Sequence, residues 1–319
     1  MEQLNRHLSD NGVATIAKSN PKFIEANTQE IELEELRQKH IIPVFVKDNQ
    51  PTISQLDFID VTTEIARSVL DSNVRLPAIR VSHPIKGRIP EARNKPAEQL
   101  EEWEKTIYYE RMAFVVEIPA FTSNINGQEL MLTVGGIKAY NLDNLYNYGG
   151  SLQRFKVFIG FKVKVCTNLC IWSDGFQGEL KVRSLDELGE QIHLLLSSFY
   201  ADQQLEAMRR LTEYHLTEHQ FAQLIGRARM YNFLPKHRKQ EIPELLLSDT
   251  QIAGVTKEYY LDKYFQADTD GNINLWNLYN LFTASAKSSY IDTFLDRNVN
   301  AGVFTQNIVE AIDGGKYHW

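Results

Sequence analysis

Between residues 154 and 165 apolar and polar side chains alternate without a break. Phe155, Val157, Ile159, Phe161, Val163 and Val165 fall on one side, and Arg154, Lys156, Phe158, Gly160, Lys162 and Lys164 on the other. A period of two predicts a β-strand with one face in a core, and the residue types predict that the opposite face is largely cationic. Residues 180–183 repeat the scheme, with Leu180 and Val182 inward and Lys181 and Arg183 outward. Residues 112–119 and 130–140 are rich in apolar and β-branched side chains, and Asn126-Gly127 between them supplies the positive φ angles of a tight hairpin.

The period then lengthens to that of a helix. Leu56, Ile59, Ile65 and Val69 predict a helix over residues 54–70, with Ser54 and Asp57 as its capping pair. Ser184 with Glu187 opens a second, carried by Leu188, Ile192, Leu195 and Leu196 and resuming through Leu205, Met208 and Leu211. Thr217 with Gln220, flanked by Leu216 and Phe221, opens a third. Further helices are expected from about residue 274 to 287 and near 305–312. Residues 76–90 hold three prolines and a glycine and predict a basic loop, and the Gly-Gly pairs read as bends.

Strands first and helices afterwards give an α+β class: a central antiparallel sheet led by a hairpin, followed by a mainly helical C-terminal half. The expected organisation is a mobile or peripheral acidic arm over 1–50, an α+β core over 51–240, and a helical region over 241–319 that packs on it.

Composition narrows the classes. With 43% hydrophobic and 24% charged residues among 319, the chain reads as globular. It has no apolar run near the roughly 20 residues of a bilayer span. Its start, Met1-Glu2-Gln3-Leu4-Asn5-Arg6, lacks the shape of a secretory signal, and only Cys166 and Cys170 occur, so the expected compartment is the reducing cytoplasm. A net charge of −7 argues against a protein that coats nucleic acid over its whole surface. The charge is uneven, however: residues 151–240 carry 13 Lys and Arg against 9 Asp and Glu, and residues 241–319 carry 5 against 11.

Three motifs suggest metals and fall short. His215-Leu216-Thr217-Glu218-His219 spells an inverted zinc-protease order, but the cap at Thr217 leaves His215 outside the helix, so the imidazoles do not converge. Aligning Gly271 with the sixth position of a calcium loop puts Gln266 first and Asn277 twelfth, removing the leading carboxylate and the bidentate glutamate. An Asp-Gly turn that starts a helix is the preferred reading of residues 268–272. Cys166 and Cys170, four apart on a strand, have no second pair and read as buried thiols. The sequence shows no phosphate-cradling glycine loop, nucleophile elbow or paired-carboxylate site, and no cofactor or metal is expected.

The remaining candidate is the cationic strand face. Arg154, Lys156, Lys162 and Lys164, with Lys181 and Arg183, form a groove for a phosphate backbone if they share an open surface, and Phe158 then stacks on bases. Two basic stretches extend it: Arg80, Lys86, Arg88, Arg93 and Lys95, then Arg227, Arg229, Lys236, Arg238 and Lys239 with Tyr231 and Phe233. The alternative is a solvated sheet face whose lysines protect solubility.

Residues 79–88, the Val165-Cys166-Thr167-Asn168-Leu169 strand end, Leu224-Ile225-Gly226-Arg227, residues 278–283 and residues 287–291 together resemble an uncharacterised family encoded on bacterial mobile elements. The Cys-Thr-Asn strand and the late Tyr-Asn-Leu-Phe-Thr helix are more distantly similar to the phage/plasmid-like protein family, also of unknown function. That setting implies DNA handling and supplies no catalytic residues.

Three functions follow as expectations. The leading one is a non-enzymatic protein that holds single-stranded DNA on the basic sheet face. The second is a protein-interaction module whose acidic termini meet a basic partner. The third is an enzyme assembled from distant loops, with His83, Arg88, Asn168 and Asp174 as its residues.

Overall fold

The computed structural model describes residues 22–39, 52–145, 152–239 and 243–315. A short strand β1 (Gln29–Ile31) and helix α1 (Leu33–Lys39) precede α2 (Gln55–Val69), β2 (Ala78–Val81) and a hairpin of β3 (Pro84–Arg88) with β4 (Lys105–Tyr109). The long strands β5 (Arg111–Ile125) and β6 (Gln128–Ala139) follow, then α3 (Tyr140–Leu145), β7 (Gln153–Val163), β8 (Leu169–Cys170) and β9 (Phe176–Val182). The rest is mainly helical: α4 (Leu185–Ser197), α5 (Ala201–Arg210), β10 (His215–Leu216), α6 (Glu218–Met230), α7 (Lys236–Lys239), α8 (Asp249–Leu261), β11 (Ile273–Asn274), α9 (Leu275–Ala286) and α10 (Ile291–Asp313).

The main sheet runs β1-β2-β5-β6-β7, with β8 and β9 both on the far edge of β7, and every pairing is antiparallel. Asn126 and Gly127 take φ of 51° and 77°, so the expected hairpin turn closes β5 onto β6, and the ladder extends all the way to it.

Helices cover both faces of this sheet. On one side Phe58 of α2 meets Phe114 and Phe155 edge-on, at centroid distances of 5.1 and 4.8 Å. On the other, Phe294 and Leu295 of α10 and the segment at Phe23 and Ile24 bury Val115, Ile137 and Phe158. A strand covered on both faces needs apolar residues on both, which is why Phe158 stands among the lysines of β7.

In the helical half, α5 is joined to α6 and α8 to α9 through turns that contain short strands. Their turns pair as β10 and β11, Leu216 opposite Ile273, and Phe221 stacks on Tyr259 at 4.0 Å. The predicted caps are in place: Ser54 with Asp57 on α2 and Thr217 with Gln220 on α6 are reciprocal boxes. On α4 Ser184 accepts from the Glu187 N–H, while the Glu187 carboxylate takes the N–H of Arg183.

Several expectations are corrected. Residues 22–39, expected in a peripheral arm, bury Phe23, Ile24, Ile31 and Leu36 and add β1 to the sheet; the rest of 1–50 lies outside the described residues. The basic loop over 76–90 is largely two strands, β2 and β3. Gly135-Gly136 is no bend but lies inside β6, paired on both sides. A methyl group at Gly135 would stand 2.1 Å from the Phe114 carbonyl, and one at Gly136 2.5 Å from the Phe58 ring. The final helix starts at Ile291 rather than near 305, and α8 is a helix that the apolar spacing does not predict. Cys166 sits in the turn before β8, not on the same strand as Cys170.

Candidate nucleic-acid interface

The cationic face of β7 is not an open groove. Phe158 is 1% exposed and belongs to the core beneath α10, so it is not a base-stacking residue. Lys156 reaches onto α10, where its Nζ pairs with Asp296 and donates to the Asp292 carbonyl at 2.7 Å. Lys162 pairs with Glu117, which also takes Arg75 at 2.6 Å. Lys164 pairs with Glu129, and Lys181 lies 3.6 Å from Glu179. Arg154 is half-buried, its backbone N–H donating to Asp143 Oδ1 at 2.8 Å, and Arg183 is exposed at the end of the sheet, just beyond β9. Alternation separated the two faces as far as Val163, where β7 ends; Val165, expected inward, lies in the turn beyond and is 41% exposed, and the pattern could not reveal what covers the second face.

The first basic stretch is dispersed as well. Arg80 is 4% exposed; its guanidinium donates to the Thr28 carbonyl at 2.7 Å and lies 3.5 Å from Glu30. Burial lowers its pKa and Glu30 partly restores it. Lys86 and Arg88 lie on the β3–β4 hairpin, where Arg88 donates to the Lys95 carbonyl and Lys95 pairs with Glu104 at 2.5 Å.

The four residues named for an enzyme have separate partners. Asn168 is buried and donates to the Asn280 carbonyl at 3.1 Å, Asp174 accepts from Gln204 at 3.3 Å, Arg88 is held on its hairpin, and His83 is exposed. A cleft of about 240 Å³ beside α10 is lined by Trp172, Ser173, Gly302 and Glu310 and by none of these four.

The histidine and acidic-turn motifs do not converge. His215 lies on β10 and His219 in the first turn of α6, and no cluster of three His, Cys, Asp or Glu among the described residues could hold an ion. In the acidic turn Asp268 Oδ1 accepts the N–H groups of Asp270 and Asn272 at 3.0 and 2.7 Å, and Asn274 caps α9.

The second basic stretch stays together on the surface. Helix α6 buries Phe221, Leu224 and Ala228 on one side, which turns Arg229 and Met230 outward at its C-terminus. There Arg227 and Arg229 also suit the negative end of the helix dipole. The chain bends through a short turn at Tyr231–Phe233, passes Pro235 and enters α7 as Lys236-His237-Arg238-Lys239. Residues 219–239 contain five Lys and Arg and no Asp or Glu. Lys239 Nζ sits 5.0 Å from the Tyr231 ring centroid and donates to the Asn232 carbonyl at 3.3 Å. Arg229 is 3.9 Å from Asp249, both well solvated, a pair too loose and too wet to cancel its charge. In the middle of these cations Phe233 is 85% and Met230 57% exposed.

Fold and site together define a mixed α+β protein that carries a basic and aromatic surface segment at the end of α6 and in α7. The chain matches, over residues 9–319, the family described as "Domain of unknown function, B. Theta Gene description (DUF3871)", and it belongs to that family. None of the curated proteins and none of the solved structures compared with it is significantly similar. No helix among the described residues is long and apolar enough to cross a membrane.

Proposed function

We propose that this protein binds nucleic acid, and that the segment from Arg227 to Lys239 rather than the sheet face is its contact surface. The observation that carries the reading is the run of 21 residues, 219–239, with five cations and no carboxylate in a chain of net charge −7. A polyanion is drawn to such a segment because binding releases its condensed counterions, and the acidic remainder limits contact to this region. The sequence resemblance to families of bacterial mobile elements supports the same reading.

The test is the salt dependence of binding to a labelled 20-nucleotide oligonucleotide, followed by anisotropy. Affinity is expected to fall steeply as salt rises. Each phosphate contact on a single strand contributes about 0.7 to the slope of log K against log salt, so Lys236→Ala with Lys239→Ala should flatten it by roughly 1.4. Lys164→Ala on the sheet edge should leave it unchanged. Absence of binding at low salt, or a slope indifferent to the α7 lysines, would overturn the proposal.

A further inference from the structure

Resting on that reading, we infer that the ligand is a single strand with unpaired bases, and that Phe233 is the platform on which a base stacks. Phe233 is the most exposed aromatic ring among the described residues. Keeping a side chain of this size in water forgoes about 2 kcal/mol of burial. It carries no hydrogen-bonding group, so it can read neither a phosphate nor a base edge; the partner surface it suits is flat and apolar.

Its surroundings narrow the choice. The neighbouring aromatic, Tyr231, already has the Lys239 ammonium against its ring, which leaves Phe233 as the open face. The backbone that presents it is short and hydrogen-bonded on both sides, Leu234 N–H to the Tyr231 carbonyl at 3.1 Å and Arg238 N–H to the Pro235 carbonyl at 2.9 Å. The ring is therefore held out at small entropic cost. Met230, three residues before Phe233, is 57% exposed, and along the chain Arg229 precedes Phe233 and Lys236 and Lys239 follow it, on a segment whose turn and short helix stay at the surface. Cations that follow a backbone beside an aromatic that takes a base face are the arrangement used for single strands. In a duplex the base faces are already stacked on one another, and a side chain reaches them only by unstacking a step, at a cost of a few kcal/mol.

The experiment compares oligo(dT), oligo(rU) and a mixed-sequence duplex of equal length against the intact protein, Phe233→Ala and Phe233→Trp. The inference predicts that one or both single strands bind at least tenfold more tightly than the duplex. It predicts that Phe233→Ala loses about 5- to 150-fold on the single strand, as for removal of one stacked base, with the salt slope retained, and that Phe233→Trp keeps or improves affinity. The two single strands separate DNA from RNA as the source of the bases. Equal binding of duplex and single strand, or an unchanged affinity of Phe233→Ala, overturns the inference while leaving the charge-based proposal intact. Loss of salt-dependent binding altogether removes both.

Discussion

Lys138 is a charged side chain with no exposure at all. It lies on β6 with Nζ 2.7 Å from Asp143 on α3 and 4.1 Å from the Phe155 ring centroid. Burial lowers its pKa and Asp143 opposes that shift. The pair fastens α3 to the sheet, because a buried ammonium without its carboxylate is costly in a low-dielectric core. Asp143→Ala is expected to destabilise the protein by about 3 to 5 kcal/mol, read from urea unfolding, since it strands the charge. Lys138→Met replaces the ammonium with an apolar chain of similar length and should cost less. Sequence alone could not single out this lysine: on β6 it follows a run of apolar residues and reads as the polar end of a strand. Phe158 misled in the opposite direction, an aromatic on a cationic face that belongs to the core under α10.

At the scale of elements, the parts legible in the sequence were those whose determinants are local. The caps of α2 and α6 require only a hydroxyl and a partner three residues on, and both are found where the spacing put them. The Asn126-Gly127 turn is local in the same way. Thr217→Ala should therefore cost about 1 kcal/mol of stability, measurable as a shift in the urea midpoint with an unchanged slope, and should loosen the helix that presents Arg227 and Arg229. Elements that escaped were defined by distant partners. The first half of α10 buries Phe294, Leu295, Asn298 and Ala301 against the sheet and its neighbours, so its pattern makes sense only once the second sheet face is known to need a cover. Helix α8 mixes buried Gln251 with exposed Tyr260 and Leu261, and so shows little apolar stripe. Residues 76–90 carry turn-forming prolines and still form β2 and β3, because tertiary pairing with β5 and β4 outweighs local preference.

Across the whole molecule, charge had to be placed in space before it meant anything. The surplus of Lys and Arg over residues 151–240 was visible in the sequence, but its sheet portion is taken up by Asp296, Glu117 and Glu129, which come from elements far away along the chain. The portion over residues 227–239 remains on the surface, because α6 spends its apolar side on Tyr259 and α8 and leaves its C-terminal end in solvent. The candidate site was thus half legible: of the three basic stretches visible in the sequence, one stays on the surface and the sheet stretch is covered or paired. The cover of α10 over Lys156 and Phe158, and the strand carboxylates Glu117 and Glu129 beside Lys162 and Lys164, explain why a chain so rich in sheet lysines leaves no basic groove on that sheet.

Lysine footprinting places the contact surface most directly. Brief acylation of the intact protein with and without a 20-nucleotide single strand, read by mass spectrometry, should show Lys236 and Lys239 protected while Lys164 and Lys181 react as before. Protection of Lys164 and Lys181 with Lys236 still reactive would contradict the assignment and return the interface to the sheet edge.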